Sequence, residues 1–336
     1  FSYFSSYSNC NFCSYLFFKL RKFLILIIIS MKKLLLFILL TSISCDQSIN
    51  QYEYLVKDET FRNNILKNNP GAYVQLSKGY TYFEEANSNS AIGNVVLVHG
   101  FSVPSYIMRT TFNSIKERGF RVIMMDLYGR GYSDNPNLPQ TDELRATQVI
   151  ELMKSRGIEN ASIVGLSNGG RIISKIADIE PELIKDLFYI ASSGFYAYEE
   201  VNDKEVYQEE IDSMILKYPE MAKGQVNDFF EGDKYPNWIT QYEELQTHVG
   251  FARALISTTK NLVTLDDIHK KIDSLNIPVY TFWGEFDNVV VYDEFKDRLN
   301  KVFPNRKEFF ITKSGHLPHM ENQEEFENIF FKYLNN

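Results

Sequence analysis

Apolar residues along this chain gather in short unalternating runs at 95–98, 122–125, 163–164, 187–190, 279–282 and 309–311. Runs of that kind suit strands buried on both faces. Amphipathic stretches at 106–118, 142–156 and 171–179 lie between them, each with the periodicity of a crossover helix. The alternation predicts an α/β fold with a mostly parallel, doubly wound sheet. Ahead of it, residues 72–76 and 80–84, split by Lys78-Gly79, predict an antiparallel hairpin at the sheet edge. The first residues of successive runs are separated by 27, 41, 24, 92 and 30 positions. The interval of 92 is too long for one strand–helix unit and too long for a bare loop in a compact domain. Residues 200–216 and 243–258 inside it look helical, so an inserted helical cap is expected. The resulting division is a core of 71–194 and 278–336, a cap and return over 195–277, a tether at 45–70 with one short helix near 59–67, and a leader of 1–44.

Charge separates the leader from the rest. The 336 residues carry 35 Lys and Arg against 43 Asp and Glu, a formal charge of −8. Residues 1–44 hold Lys19, Arg21, Lys22, Lys32 and Lys33 and no acid, which leaves 30 bases against 43 acids beyond them. The part expected to fold is therefore acidic and a poor partner for nucleic acid, because phosphate binding needs clustered Lys and Arg.

Two apolar runs of seven, 23–29 and 34–40, stand in the leader. Each falls short of the about 20 residues a membrane-spanning helix takes. From Met31 onward the order is Lys32-Lys33, the apolar run 34–40, a small polar stretch at 41–44 and then Cys45, which is the layout of a signal peptide. Its ending resembles a bacterial lipoprotein signal, although Ser42 stands where that family usually has an aliphatic residue. The resemblance implies export to the cell envelope and a lipid anchor on Cys45, the membrane partner expected here. Residues 1–30 precede that layout and begin with Phe1, so they are candidate upstream sequence. Cys10, Cys13 and Cys45 are the only cysteines. Beyond Cys45 neither a disulfide nor a thiolate metal site can form.

Candidate chemistry sits at the ends of the predicted strands. Gly165-Leu166-Ser167-Asn168-Gly169-Gly170 follows the run 163–164 and opens the helical stretch 171–179, so a G-x-S-x-G pattern stands in a strand–turn–helix context. A serine nucleophile needs a base, and the base needs an acid to fix its tautomer. Asp287 follows the strand at 279–282, and His316 follows the strand at 309–311. In a parallel sheet both belong to the carboxyl edge, where Ser167 also stands. Glu285 is the rival acid and His319 the rival base. His99 reads as a structural residue, and His248 and His269 as packing or surface positions. Five histidines without H-E-x-x-H spacing give no reason to expect a catalytic metal.

Over nearly all of 72–334 the sequence resembles the α/β-hydrolase superfamily. The marks are Val98-His99-Gly100-Phe101, Asp126-Leu127-Tyr128-Gly129-Arg130-Gly131-Tyr132-Ser133, the serine turn, Gly284-x-x-Asp287 and Gly315-His316. The resemblance implies Ser167 as nucleophile, His316 as general base and then acid, and Asp287 rather than Glu285 as orienting acid. It also implies an oxyanion hole from the backbone amides of Phe101 and Asn168, with no cofactor and no metal. The expected function is hydrolysis of small, apolar carboxylic esters. The same triad would serve a C–C bond hydrolase or an acyltransferase, and a non-catalytic, lipid-anchored binding protein is the alternative of another class. Tyr196, Phe229, Phe230, Trp238 and Tyr242 are candidates to line the substrate site from the cap, and packing of the cap onto the sheet accounts for them equally well.

Overall fold

A computed structural model describes residues 51–90 and 92–334; the leader, its signal-like run and Cys45 lie outside the described residues. Within the compact unit that begins at Tyr52, the apolar runs become strands. They are β1 (Ala72–Leu76), β2 (Gly79–Ala86), β3 (Asn94–Val98), β4 (Arg121–Met125), β5 (Ala161–Leu166), β6 (Ile184–Ile190), β7 (Val279–Gly284) and β8 (Lys307–Ile311). They form one sheet in the order β1-β2-β4-β3-β5-β6-β7-β8. Strands β1 and β2 pair antiparallel, β2 joins β4 antiparallel, and every later pairing is parallel. The α/β class with a mostly parallel sheet is thus the observed one.

Helices cover both faces. On one side lie α2 (Arg109–Glu117) and α12 (Gln323–Leu334), which bury Phe112, Ile115, Phe326 and Phe330. On the other lie α3 (Asp142–Ser155), α4 (Gly169–Ile179) and, after the insert, α10 (Lys296–Val302), which bury Leu152, Ile172, Ile176 and Leu299. Each fully buried aliphatic side chain contributes about 1.5–3 kcal/mol of transfer free energy, so the two layers hold the sheet from both sides. Chain order places the reversal of strand sequence at β3, with β4 on one side and β5 on the other. Ligands of such sheets bind at the carboxyl edge beside that reversal.

The long interval holds α5 (Gln208–Leu216), α6 (Tyr218–Gly224), α7 (Trp238–Leu245), α8 (Phe251–Lys260) and α9 (Asp266–Ser274). Two details differ from the periodicity. Residues 200–207 are irregular rather than helical, with Glu200, Asp203 and Glu205 inside them and Glu199 just ahead, four positions from Asp203, placing like charges at helical spacing. The stretch 243–258 is two helices, because Gly250 turns left-handed at φ +80° and starts α8 afresh.

The segment read as a tether is docked from Tyr52 onward. Glu59–Asn68 forms α1, capped by Asp58, whose carboxylate accepts from the Phe61 amide at 2.8 Å. Ahead of it the Glu53 carboxylate accepts from Tyr218 Oη (2.6 Å), the Ala252 amide (2.7 Å) and the Gly250 amide (2.8 Å). One side chain therefore satisfies the first orphan amides of α8 and fixes α6 beside it. Glu53→Ala is expected to lower unfolding free energy by about 2–3 kcal/mol, because three donors lose a charged acceptor together. A denaturant titration checks this; a midpoint unchanged from wild type would show that the segment contributes no stability.

Candidate active site

Strand β5 ends in a turn whose geometry is imposed by close packing. Ser167 has φ +52°, an uncommon conformation for a residue with a side chain, and costs of order 1–3 kcal/mol. It is held there because its amide donates to Ile190 O on β6 (2.8 Å) and its carbonyl accepts from Gly170 N (3.0 Å) and Ser193 N (3.2 Å). A Cβ at Gly165 would lie 2.6 Å from Gly169 O, and one at Gly169 only 2.4 Å from Val98 O on β3. The glycines are required because strand, turn and helix approach backbone to backbone. The result aims Ser167 at the carboxyl edge, at the mouth of the crevice between β3 and β5.

The loop after β3 comes to meet it. A Cβ on Gly100 would stand 3.3 Å from Ser167 Cβ. His99 braces this loop: its Nε2 accepts from Leu127 N (2.9 Å), which leaves Nδ1–H to donate to Gly100 O (3.0 Å). Burial, with Arg130 adding to it, lowers the His99 pKa to about 3, so the ring is neutral and structural. Arg130, from the turn after β4, donates through Nε to Phe101 O (2.5 Å) and through Nη2 to Thr258 Oγ1 on α8 (3.0 Å). Neither the Phe101 amide nor the Asn168 amide donates to another described residue, and Asn168 sits at the N-terminus of α4.

His316 arrives on the loop after β8, and Asp287 on the loop after β7. The two loops touch so closely that a Cβ on Gly284 would lie 1.8 Å from Gly315 O. Glu285 N donates to Ile311 O (3.0 Å) and Phe286 N to Ser314 O (2.9 Å). His316 Nδ1 and Asp287 Oδ2 are 2.9 Å apart, with side chains 6% and 4% exposed. Asp287 Oδ1 accepts from Val289 N (2.8 Å) and Val290 N (2.9 Å), which fixes the carboxylate. Burial works against the charged imidazole, but Asp287 first, then Asp228 and Glu321, more than offset it and raise the His316 pKa above its ordinary value of 6.5.

Ser167 and His316 line one cavity of about 180 Å³ together with Gly100 and Phe101. No hydrogen bond joins Ser167 to His316 directly, a looseness common in such pairs. Apolar walls come from Val103, Ile107, Leu166, Val289 and Leu317. The rivals stand elsewhere. Glu285 is exposed and accepts from Lys313 N (3.2 Å). His319 Nε2 binds Ile107 O (3.0 Å), and burial lowers its pKa to about 4. His269 is buried against Ser174 Oγ (3.0 Å), and His248 packs on Phe61. Among the described residues no group of three or more His, Cys, Asp and Glu side chains is placed to hold a metal ion.

The cap aromatics do not line this cavity. Phe229, Trp238 and Tyr242 belong to the apolar cluster between cap and sheet, Phe230 stacks on Phe286, and Tyr196 accepts from Val291 N (2.9 Å). What the cap does supply is Gln225 and Asp228, which sequence reasoning passed over because neither belongs to a motif or a periodic face. Asp228 O accepts the His316 amide at 2.7 Å, while Glu321 accepts from Gly315 N (2.7 Å) and Phe230 N (2.6 Å). Cap and base loop are joined through these bonds.

Comparison with known proteins gives the same frame. A family model described as alpha/beta hydrolase fold matches residues 93–269. A protein named Lipase 3 from Moraxella sp. (strain TA144) is 24% identical over 293 residues, covering 83% of this chain and 86% of the relative. A pimeloyl-[acyl-carrier protein] methyl ester esterase from Aliivibrio fischeri (strain ATCC 700601 / ES114) is 23% identical over 72% of this chain and 93% of its own length. Among solved structures, the esterase EaEST from Exiguobacterium antarcticum superposes with a TM-score of 0.66 at 19% identity, over 79% of this chain and all of that one.

Proposed function

The chain belongs to the α/β-hydrolase fold family, and from that membership together with the site geometry we propose that it is a serine hydrolase of carboxylic esters. The observation that carries the reading is His316, paired with Asp287 at 2.9 Å, lining with Ser167 one small cavity at the sheet edge. In this reading His316 Nε2 takes the Ser167 proton as Oγ attacks the ester carbonyl, and the unengaged Phe101 and Asn168 amides receive the developing oxyanion. His316 then protonates the leaving alcohol, an acyl group stays on Ser167, and water taken through the same base releases the acid. Each aimed amide contributes about 10²–10³ in rate. Relatives named lipase and methyl ester esterase support ester bonds over C–C bonds as substrates. A cavity of about 180 Å³ is smaller than the roughly 300–1,000 Å³ of drug-sized sites, which supports modest acyl groups.

A chromogenic ester panel of increasing acyl length, with a fluorophosphonate probe alongside, tests the reading. The expected result is labelling and turnover that fall as the acyl chain lengthens. A folded wild type that neither labels nor turns over would instead favour a binding protein.

The reading extends to location. The Met31–Cys45 layout supports export and lipid anchoring at Cys45. Expression in a bacterium fed a labelled fatty acid is expected to label the wild type and not Cys45→Ala; equal labelling of both would exclude that anchor.

A further inference from the structure

The catalytic cavity contains one carboxylate that nothing in the proposed reaction uses. Asp228 comes from the cap, and among the described residues it is the only acidic one lining the cavity, which no described Lys or Arg lines. Its neighbours are saturated: Asp287 accepts from His316, Val289 N and Val290 N, and Glu321 from Gly315 N and Phe230 N. The Asp228 carboxylate, by contrast, accepts no hydrogen bond and forms no ion pair among the described residues, although its own backbone carbonyl holds the His316 amide. A partly buried carboxylate without a partner is costly, and an entering group that supplies positive charge recovers that cost.

Resting on the serine-esterase reading, we propose that Asp228 selects esters whose alcohol portion carries a cationic group close to the scissile bond, of which a choline ester is the simplest probe. The apolar walls of the cavity, Val103, Ile107, Leu166, Val289 and Leu317, take the acyl group, while Asp228 supplies its one charged wall. The groups facing it are His316, Asp287 and Glu321. Three carboxylates thus surround one imidazole, and with His316 neutral the site is net negative before substrate enters. An anionic ester is repelled by the same field. Burial raises the Asp228 pKa to about 6, against the opposing pull of His316 and with Asp287 and Glu321 adding to the rise. The carboxylate is therefore charged above that pH and loses its charge below it, so the selection is strongest in neutral and alkaline solution.

The test compares kcat/KM for acetylcholine with that for its uncharged isostere, 3,3-dimethylbutyl acetate, between about pH 5 and 8. Taking the ratio cancels the titration of His316, which both esters share. The wild type is expected to prefer the cationic ester roughly tenfold near pH 8, the order of a partly screened charge pair. The preference should shrink as pH falls through about 6, and in Asp228→Asn the ratio should approach one throughout. A wild-type ratio near one at pH 8, or one that stays constant across the range, overturns the proposal whatever the variant does. So does a preference that survives in Asp228→Asn. A wild type that hydrolyses neither ester and takes no fluorophosphonate overturns the hydrolase reading beneath it as well.

Discussion

Replacing Ser167 with alanine is expected to abolish fluorophosphonate labelling and to lower kcat on the best ester of the panel by about 10⁶-fold, the size of effect seen when a serine nucleophile is removed from an intact triad. The loss should be confined to chemistry. Ser167 stands at φ +52° through backbone hydrogen bonds to Ile190 and from Gly170 and Ser193, and alanine meets the same left-handed strain as serine. Its Oγ is bonded to no described side chain or backbone group, so no buried partner is orphaned by the change. A melting temperature within a few degrees of wild type is therefore expected beside the lost labelling. Retained labelling in Ser167→Ala would move the nucleophile elsewhere, and a collapsed melting temperature would make the rate uninformative about Ser167 itself. The second outcome is guarded against by Ser167→Gly, which relieves the positive φ and should label no better.

The residues of the site differ in how plainly the sequence announces them, and the difference is physical. Ser167 is announced because a left-handed turn wedged between β3 and α4 excludes side chains at Gly165 and Gly169, and a steric exclusion leaves a fixed spacing of glycines. Asp287 and His316 are announced because Gly284 must let the loop after β7 touch the loop after β8, and Gly315 must let that second loop touch the cap backbone at Asp228. The strands are equally plain, since burial on both faces permits only unbroken apolar runs. Asp228 leaves no such trace. It reaches His316 because the cap folds back over the sheet edge, a tertiary approach across 88 residues of sequence, and a lone aspartate closing a single 3-10 turn looks like any solvated one. Glu53 is silent for the same reason: its three donors lie on α6, on α8 and at the residue that caps α8, more than 160 residues away. The break of α7 from α8 was hidden because Gly250 interrupts an otherwise helical apolar pattern, and one glycine costs a helix only about 1 kcal/mol. The aromatics of the cap read both ways in sequence, because packing against the sheet and lining a substrate site ask for the same residue types, and the fold settles Phe229, Trp238 and Tyr242 as packing.

Asp287→Asn should be nearly as damaging as loss of the serine, lowering kcat by about 10⁴-fold, and for a reason visible in its three hydrogen bonds. Asp287 Oδ1 is taken by the Val289 and Val290 amides, and Oδ2 by His316 Nδ1–H. An asparagine keeps its carbonyl oxygen on the two amides, so its NH2 group faces His316. Nδ1 must then accept, the ring proton moves to Nε2, and the nitrogen facing Ser167 can no longer take a proton. The substitution also removes the largest influence that raises the His316 pKa, while the burial that lowers it remains. In the wild type the acid limb of kcat/KM therefore lies above the ordinary 6.5, with activity rising as the imidazole loses its proton. In Asp287→Asn that limb moves to lower pH even as the plateau falls. A merely structural role for Asp287 would lower the plateau and leave the limb in place. Glu285→Gln supplies the contrast, since Glu285 is exposed and its carboxylate accepts from the Lys313 amide rather than from His316; it is expected to leave the rate within a few-fold of wild type and the limb unmoved. If Glu285→Gln shifts the limb and Asp287→Asn does not, the acid of the triad is Glu285.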